Sequence, residues 1–401
     1  VSELYHPEQT STGYFLTKIA EGLAGDFDVQ VICGKPSYSE RGVEAPRRET
    51  RNGTTIHRMW ATHFNKDRLG LRAVNALTLA VAATAFATMH LRRGDQMLIV
   101  TNPPTLPPIL GWIARIKGVR SHLLVHDVYP EVLSATSMMR STGLVWRLAS
   151  RFFNGALSHF DTVVVLGRDM RALIERKLGF QSNTSRVDII PNWGDVDEIR
   201  PVERAENAFA QEYGLVSKVV IQFSGNIGRT HDVDLLVRVA RQVEDLENVV
   251  FLFVGYGGQA KSVANRVGAN LLHLPRQPRA RLNEMLACSD LTVIPFKEAM
   301  KGVSVPSRMY NVMAAGVPIC AIADRDAELS ATVVENEAGW HLEPGDAEGL
   351  ERLIRSIASP SGRVEAARRG AKGRAALLPR YTLARVLEQY RTLLDAVKPI
   401  R

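Results

Sequence analysis

The chain has 401 residues, 45% of them hydrophobic, with 30 glycines, 19 prolines and a formal charge of +8 from 50 basic and 42 acidic side chains. That length is about twice a typical domain and calls for two hydrophobic cores, while the apolar share is that of an ordinary globular protein. The basic excess is spread, 24 Lys and Arg against 19 Asp and Glu over residues 1–200 and 26 against 23 beyond, which excludes the concentrated stripe of a dedicated nucleic-acid binder yet favours acidic ligands or an anionic lipid surface.

The opening VSELYHPEQ reads as the tail of a strand whose start is missing. No charged leader with an apolar stretch and cleavage site is visible, although a lost leader stays open. Thr12 and Gly13 then precede an apolar helix over residues 13–24, a pattern that fits either free amides at an anion or a plain helix cap. No GxGxxG fingerprint follows, which weakens a dinucleotide reading. Strands are expected at 29–33, 97–101, 122–125, 162–166 and 187–190, alternating with helices at 71–89, 108–116, 141–153 and 169–177. This alternation predicts a mostly parallel sheet covered by helices.

The longest low-charge stretch, Ala73 to Met89, is Ala-rich with weak apolarity, which predicts a buried helix rather than a membrane span. Just before it, Lys66, Arg68 and Arg72 beside Phe64, Leu69 and Leu71 suggest either a membrane-facing corner or a solvated helix start. Asn102, Pro103 and Pro104 end one strand in a rigid turn. His126 and Asp127, in HDVYPEV, lie at the carboxyl end of another, where a proton acceptor or hydroxyl-binding group is useful. Asn192 and Trp193 mark a junction near residues 192–205.

A second βα series follows, with strands at 218–223, 249–254, 270–274, 291–294 and 318–321 and helices at 233–243, 279–288 and 305–314. Its first strand exits through Gly225, Asn226, Gly228 and Arg229, a glycine-rich turn fit for phosphate oxygens but lacking the GKS or GKT ending of a P-loop. Gly255, Gly257 and Gly258 turn the next strand, and Arg276 stands at the exit of the third. The stretch PFKEAMKGVSVPSRMYNVMAAGVPICA, residues 295–321, sets Lys297, Lys301 and Ser304 to Ser307 in a loop that opens a helix carrying Arg308 and Asn311. An anion, most simply a diphosphate, is expected there. The C-terminal run 382–397 has one apolar stripe that must be covered.

Cys33, Cys288 and Cys320 lie in or beside apolar runs and read as buried thiols of a reducing compartment. HExxH, GxSxG and close Cys and His clusters are all missing from the sequence.

Taken in order, YHPEQTSTGYF, TNPP, HDVYPE, PNW, FSGNIG, GYGG and SVPSRMYNVMAAGVP resemble the retaining GT-B glycosyltransferases of the "group 1" family, in the branch acting in bacterial capsule, O-antigen and exopolysaccharide assembly, with colanic-acid-type and fucosamine transferases. The resemblance implies an α/β GT-B fold, two Rossmann-like parallel-sheet domains facing across a cleft. Residues 1–195 would be the acceptor-side domain, 196–378 the donor domain, and 379–401 a helix returning to the first.

The implied reaction moves a sugar from a nucleotide-sugar, UDP-linked by expectation, to a saccharide or polyprenyl-diphosphate-linked acceptor, with no metal and no cofactor. The expected setting is cytoplasmic, at the inner face of the inner membrane with peripheral contact to anionic lipid, and no nucleic acid is involved. His126, Asp127, Arg229 and Lys301 would be catalytic. Thr12, Gly13, Gly225, Asn226, Gly228, Gly255, Arg276, Ser304, Val305, Pro306, Ser307 and Asn311 would hold the donor. Val303 and Asn311 replace the family's Glu-x7-Glu, and Asn226 and His231 roughly replace its Arg and Lys. A nucleotide-sugar epimerase of the same architecture and a non-catalytic nucleotide-sugar binding protein are the competing readings.

Overall fold

The computed structural model describes residues 1–36, 44–62, 64, 69–179, 186–266, 268 and 270–395. Lys66 and Arg68 of the suggested basic corner lie outside the described residues. The chain divides into two compact units, residues 1–191 with 386–401, and residues 192–385.

The first unit runs α1 (Ser11–Leu23), β1 (Gln30–Cys33), β2 (Arg48–Arg51), β3 (Thr54–Arg58), α2 (Leu69–His90), β4 (Gln96–Val100), α3 (Leu106–Lys117), β5 (Arg120–Leu124), α4 (Glu131–Ala135), α5 (Gly143–Leu157), β6 (Thr162–Val165), α6 (Arg168–Leu178) and β7 (Arg186–Ile189). Strands β4 to β7 are parallel neighbours in chain order, and β1 pairs in parallel with β3. Residues 1–3 join the two sheets: the Ser2 amide donates to Ile32, the Val1 amine to Leu98, and Val100 donates back to Val1. The β2–β3 hairpin was not anticipated. Its signal is Asn52-Gly53, both at positive φ (42° and 79°), the residue pair that a two-residue hairpin turn demands.

In the second unit come α7 (Ala208–Glu212), β8 (Val219–Asn226), α8 (Val233–Gln242), β9 (Val249–Tyr256), α9 (Ala260–Ala264), β10 (Leu271–Leu274), α10 (Leu282–Ala287), β11 (Leu291–Pro295), α11 (Arg308–Ala314), β12 (Ile319–Ile322), α12 (Glu328–Glu335), β13 (Gly339–Leu342), α13 (Ala347–Ile357) and α14 (Pro360–Leu377). The sheet is parallel, in the order β10-β9-β8-β11-β12-β13. The connection therefore reverses direction between β8 and β11, the crevice where open α/β sheets take their ligands. Its strands are buried on both faces, as in VVIQFS of β8 and LTVIP of β11, because helices cover both sides.

The last helix, α15 (Leu383–Asp395), brings Val386, Leu387, Tyr390 and Leu393 under cover. Leu387 occupies the space a side chain on Gly22 of α1 would need, and Arg391 pairs with Asp26 at 2.6 Å. The expected buried helix at 73–89 is covered on one side only. Leu79, Ala80, Ala83 and Ala87 are buried, whereas Leu77, Val81 and Met89 face solvent. All three cysteines are buried and free, and burial pushes the Cys33 and Cys288 thiols up to about 12.

Asp290 ties the second unit's outer layer to its central strand. Its carboxylate, 11% exposed, accepts from the Val220 amide (2.8 Å), Arg204 (2.8 Å) and Arg363 of α14 (3.2 Å). Asp290→Ala strands two guanidinium groups and a buried amide, so the urea midpoint should fall by an amount equivalent to about 3 kcal/mol. Asp290→Asn should lose roughly half of that, since the amide oxygen still accepts from Val220.

Candidate functional site

At the β8–β11 switch of the second unit, glycine lets two strand exits run in contact. Gly225 and Gly255 are paired in register, with φ of 120° and 153°, and a Cβ on Gly255 would stand 1.8 Å from the Gly225 carbonyl oxygen. The Ile227 amide donates to Tyr256 (2.7 Å), and the Gln259 amide to Ile227 (3.0 Å). A Cβ on Gly228 would stand 3.0 Å from the Asn226 side-chain nitrogen. Arg229 is exposed and unpaired, and Arg276 lies over the Tyr256 ring at 5.7 Å.

The decisive side chain is one the sequence reading left in the background. Arg308 opens α11 and lays its guanidinium on the Phe223 ring, 4.7 Å from the centroid. The group fills the space a Gly225 side chain would need, 3.2 Å from the ideal Cβ. Its Nη1 is buried without a hydrogen-bond partner, and no carboxylate pairs with it. Burial lowers its pKa to about 10, so it is charged at neutral pH. Buried charges are ordinarily paired. Arg308 is half-buried as a residue, and its guanidinium has no charge partner among the described residues.

His231 shares this corner but not the charge. Its ring packs edge-on against Phe223 (5.4 Å) and against Phe296 (5.3 Å), and Nδ1 meets Thr230 Oγ1 at 2.9 Å. Nε2 is buried without a partner. Burial, and then the Arg308 charge, hold its pKa well below the ordinary value, so it stays neutral. The signal for Arg308 was its place as the first residue of α11 straight after β11 and its loop, at the turning point of the strand order. That order is not visible before the sheet is assembled.

Other named residues have partners that bear on their roles. Lys301 forms an ion pair with Asp326. The Asn311 side-chain oxygen accepts from the Asp195 amide at 3.0 Å, anchoring α11 to the segment that opens the unit, while Arg279 pairs with Asp195. Ser304 and Ser307 are half-buried, and Val303, Val305 and Pro306 buried, in the loop leading to Arg308.

The first unit gathers a second group. The backbone amides of His126 and Asp127 converge on Thr101 Oγ1 at 3.1 and 3.4 Å, which fixes the exit of β5 against β4. His126 Nε2 is buried without a partner, and burial alone lowers its pKa to about 4. Asp127 and Tyr129 line an apolar pocket with Phe153, Ile174 and Lys177, and Lys177 is paired with Glu131 at 2.5 Å. At α1 the Gly13 amide is taken by the Thr10 cap (3.2 Å). Gly13 makes room for the Glu8 carbonyl, 2.8 Å from its ideal Cβ. Thr12, the second residue of α1, is half-buried. Among the described residues no group of three His, Cys, Asp or Glu could hold a metal ion.

Comparison with known proteins gives two family matches, a "Glycosyl transferase 4-like domain" over residues 12–193 and "Glycosyl transferases group 1" over 206–374. A Pseudomonas aeruginosa protein named "Probable glycosyltransferase WbjE" is 31% identical over 372 residues, covering 89% of this chain and 88% of the relative. The Escherichia coli (strain K12) protein named "Putative colanic acid biosynthesis glycosyl transferase WcaI" is 25% identical, covering 81% and 83%. Among solved structures, sucrose-phosphate synthase from Thermosynechococcus elongatus superposes with a TM-score of 0.74 at 17% identity, over 99% of this chain and 96% of the other. Anabaena Alr3699/HepE, solved in complex with UDP and glucose, gives 0.73 at 14% identity over 98% of both. These two likenesses concern the fold, which is GT-B.

The depressed histidines set a pH window. With the folded pKa of His126 near 4 and the unfolded value at 6.5, the unfolded chain binds more protons between those limits, so stability falls as the pH is lowered through that range. The loss is on the order of 3 kcal/mol for a shift of this size. Urea midpoints measured across the window should fall less steeply in His126→Gln than in the parent. Superimposable profiles would show that burial of this ring does not set the slope.

Proposed function

The chain belongs to the group 1 glycosyltransferases, and on that footing we propose that it transfers a sugar from a nucleotide-sugar, UDP-linked, to a saccharide or polyprenyl-diphosphate-linked acceptor in bacterial surface polysaccharide assembly, with retained anomeric configuration. The reaction is assigned to the cytoplasmic side of the inner membrane. The names of the relative WcaI and of the Anabaena complex, with colanic acid biosynthesis and UDP, agree with this substrate class. The observation that carries the reading is the unpaired Arg308 guanidinium at the β8–β11 switch.

In this reading the donor diphosphate sits against Arg308 and the glycine exits at Gly225 and Gly255, with the loop 304–307 beside it. As the bond to the sugar breaks, negative charge grows on the departing diphosphate, and a cation already desolvated and fixed stabilises that charge without reorganising. The acceptor hydroxyl approaches from the side on which the diphosphate leaves, and its proton passes to a leaving-group oxygen. Neutral His126 offers Nε2 to a hydroxyl of the sugar, and Asp127 fixes the loop. Arg229 reaches the phosphates from the exposed turn, and Lys301 does so by exchanging Asp326 for the ligand. The charge is thus met by side chains, and no metal is needed.

Arg308→Met should weaken UDP binding by about 10- to 100-fold, the range of a lost charge-assisted hydrogen bond, while uridine binding stays within a factor of two or so. Turnover at saturating donor should fall by about 100-fold or more, and Arg308→Lys should recover part of both. Calorimetry with UDP and uridine, and product formation from a panel of nucleotide-sugars with lipid-linked saccharide, make the test. A purified protein that forms no glycoside with any donor and isomerises one without acceptor would overturn the reading.

A further inference from the structure

The first unit exposes an apolar face that its own fold leaves bare. α5 has fifteen residues, of which only Ala156 and Leu157 are buried. Leu144, Leu148 and Phe152, spaced four apart on one side of that helix, are 57–64% exposed. α3 packs against α5 and shows Trp112 and Ile116, 55% and 64% exposed. α2 also packs against α3 and shows Leu77 and Val81, 53% and 60% exposed. α2 and α3 bury the sides opposite these stripes, and α5 buries Ala156 and Leu157 at its end. Apolar side chains left exposed in stripes on three neighbouring helices fit an interaction site.

The charge on this face has one sign. No Asp or Glu occurs at 69–94, 96–126 or 132–160, which contain α2, α3 and α5 whole. Arg115, Arg140, Arg147 and Arg151 are exposed, and none has a carboxylate or hydrogen-bond partner among the described residues. Guanidinium groups left unpaired among bare leucine, phenylalanine and tryptophan fit a surface that is anionic outside and apolar beneath. A second copy of the chain would bring arginines against arginines. We infer that the α2–α3–α5 face of the first unit docks on an anionic lipid bilayer, with the apolar stripes entering the headgroup boundary and the arginines contacting lipid phosphates. The inference deepens the proposed function by bringing the enzyme to a lipid-linked acceptor.

The test is flotation of the full chain with phosphatidylcholine vesicles, with and without phosphatidylglycerol, in low and high salt, with no sugar present. The parent protein should float with the anionic vesicles and be released only in part by salt. Arg147→Gln and Arg151→Gln should each weaken partitioning about fivefold. A double change, Leu148→Ser with Phe152→Ser, should abolish salt-resistant binding while leaving the far-UV spectrum and UDP affinity intact, since neither residue is buried. Absence of binding to anionic vesicles, or binding indifferent to all four substitutions, would overturn the inference. So would concentration-dependent dimers abolished by the same changes, which would make a second copy the occupant. UDP affinity measured on the same preparations separates the outcomes, because loss of docking with intact UDP binding leaves the glycosyl-transfer reading standing.

Discussion

A guanidinium held between an aromatic ring and a glycine, with no counter-charge, is the constraint around which the second unit is arranged. The Phe223 face attracts a cation, but that attraction does not repay desolvation, as the lowered pKa of Arg308 shows. The charge stays where it is because its backbone is over-determined. Asn311 is tied to the Asp195 amide, Tyr310 is buried against Tyr381 (5.1 Å between ring centroids), and Gly194 lies against the Tyr310 carbonyl with no room for a side chain. If the proposed diphosphate enters beside it, the cost of holding the guanidinium without a counter-charge would be offset by that anion.

The same corner explains which residues carry charge and which carry shape. His231 is packed between two rings and kept neutral, so it serves the wall of the site while Arg308 serves its potential. Gly225 answers to both, because its positive φ turns the strand away and its missing side chain admits the guanidinium. Replacing that glycine would therefore alter backbone and charge together, whereas replacing Arg308 removes charge and leaves the turn.

Much of this was readable in the chain before any coordinates. Runs such as VVIQF and LTVIP announced doubly buried strands, and the breaks at Gly225, Gly255 and residues 296–307 located the exits where ligands gather. What the sequence could not supply was adjacency. Gln222 and Thr292 are neighbours on paired strands although 70 positions separate them, and only that pairing makes the start of α11 face the end of β8. The β2–β3 hairpin escaped because β2, RETR, has no apolar alternation to outweigh its charges, despite the Asn-Gly turn beside it. The hydrogen bond from the Asp195 amide to the Asn311 side-chain oxygen is another adjacency that spacing along the chain does not announce.

The helix layer of the first unit poses the converse problem. A fifteen-residue helix is marginal in water unless an apolar face is buried, and α5 buries two side chains and lacks a side-chain cap at Thr142. Its apolar residues nonetheless keep helical spacing, on the side away from the sheet. Chance scatter of exposed hydrophobics would not repeat on α2 and α3, nor coincide with the loss of every carboxylate from three helices. A surface so composed leaves apolar side chains and unpaired guanidinium groups side by side in water. Its composition follows if burial is completed at an interface, with arginine stems lying along apolar surface and their heads held at the charged boundary.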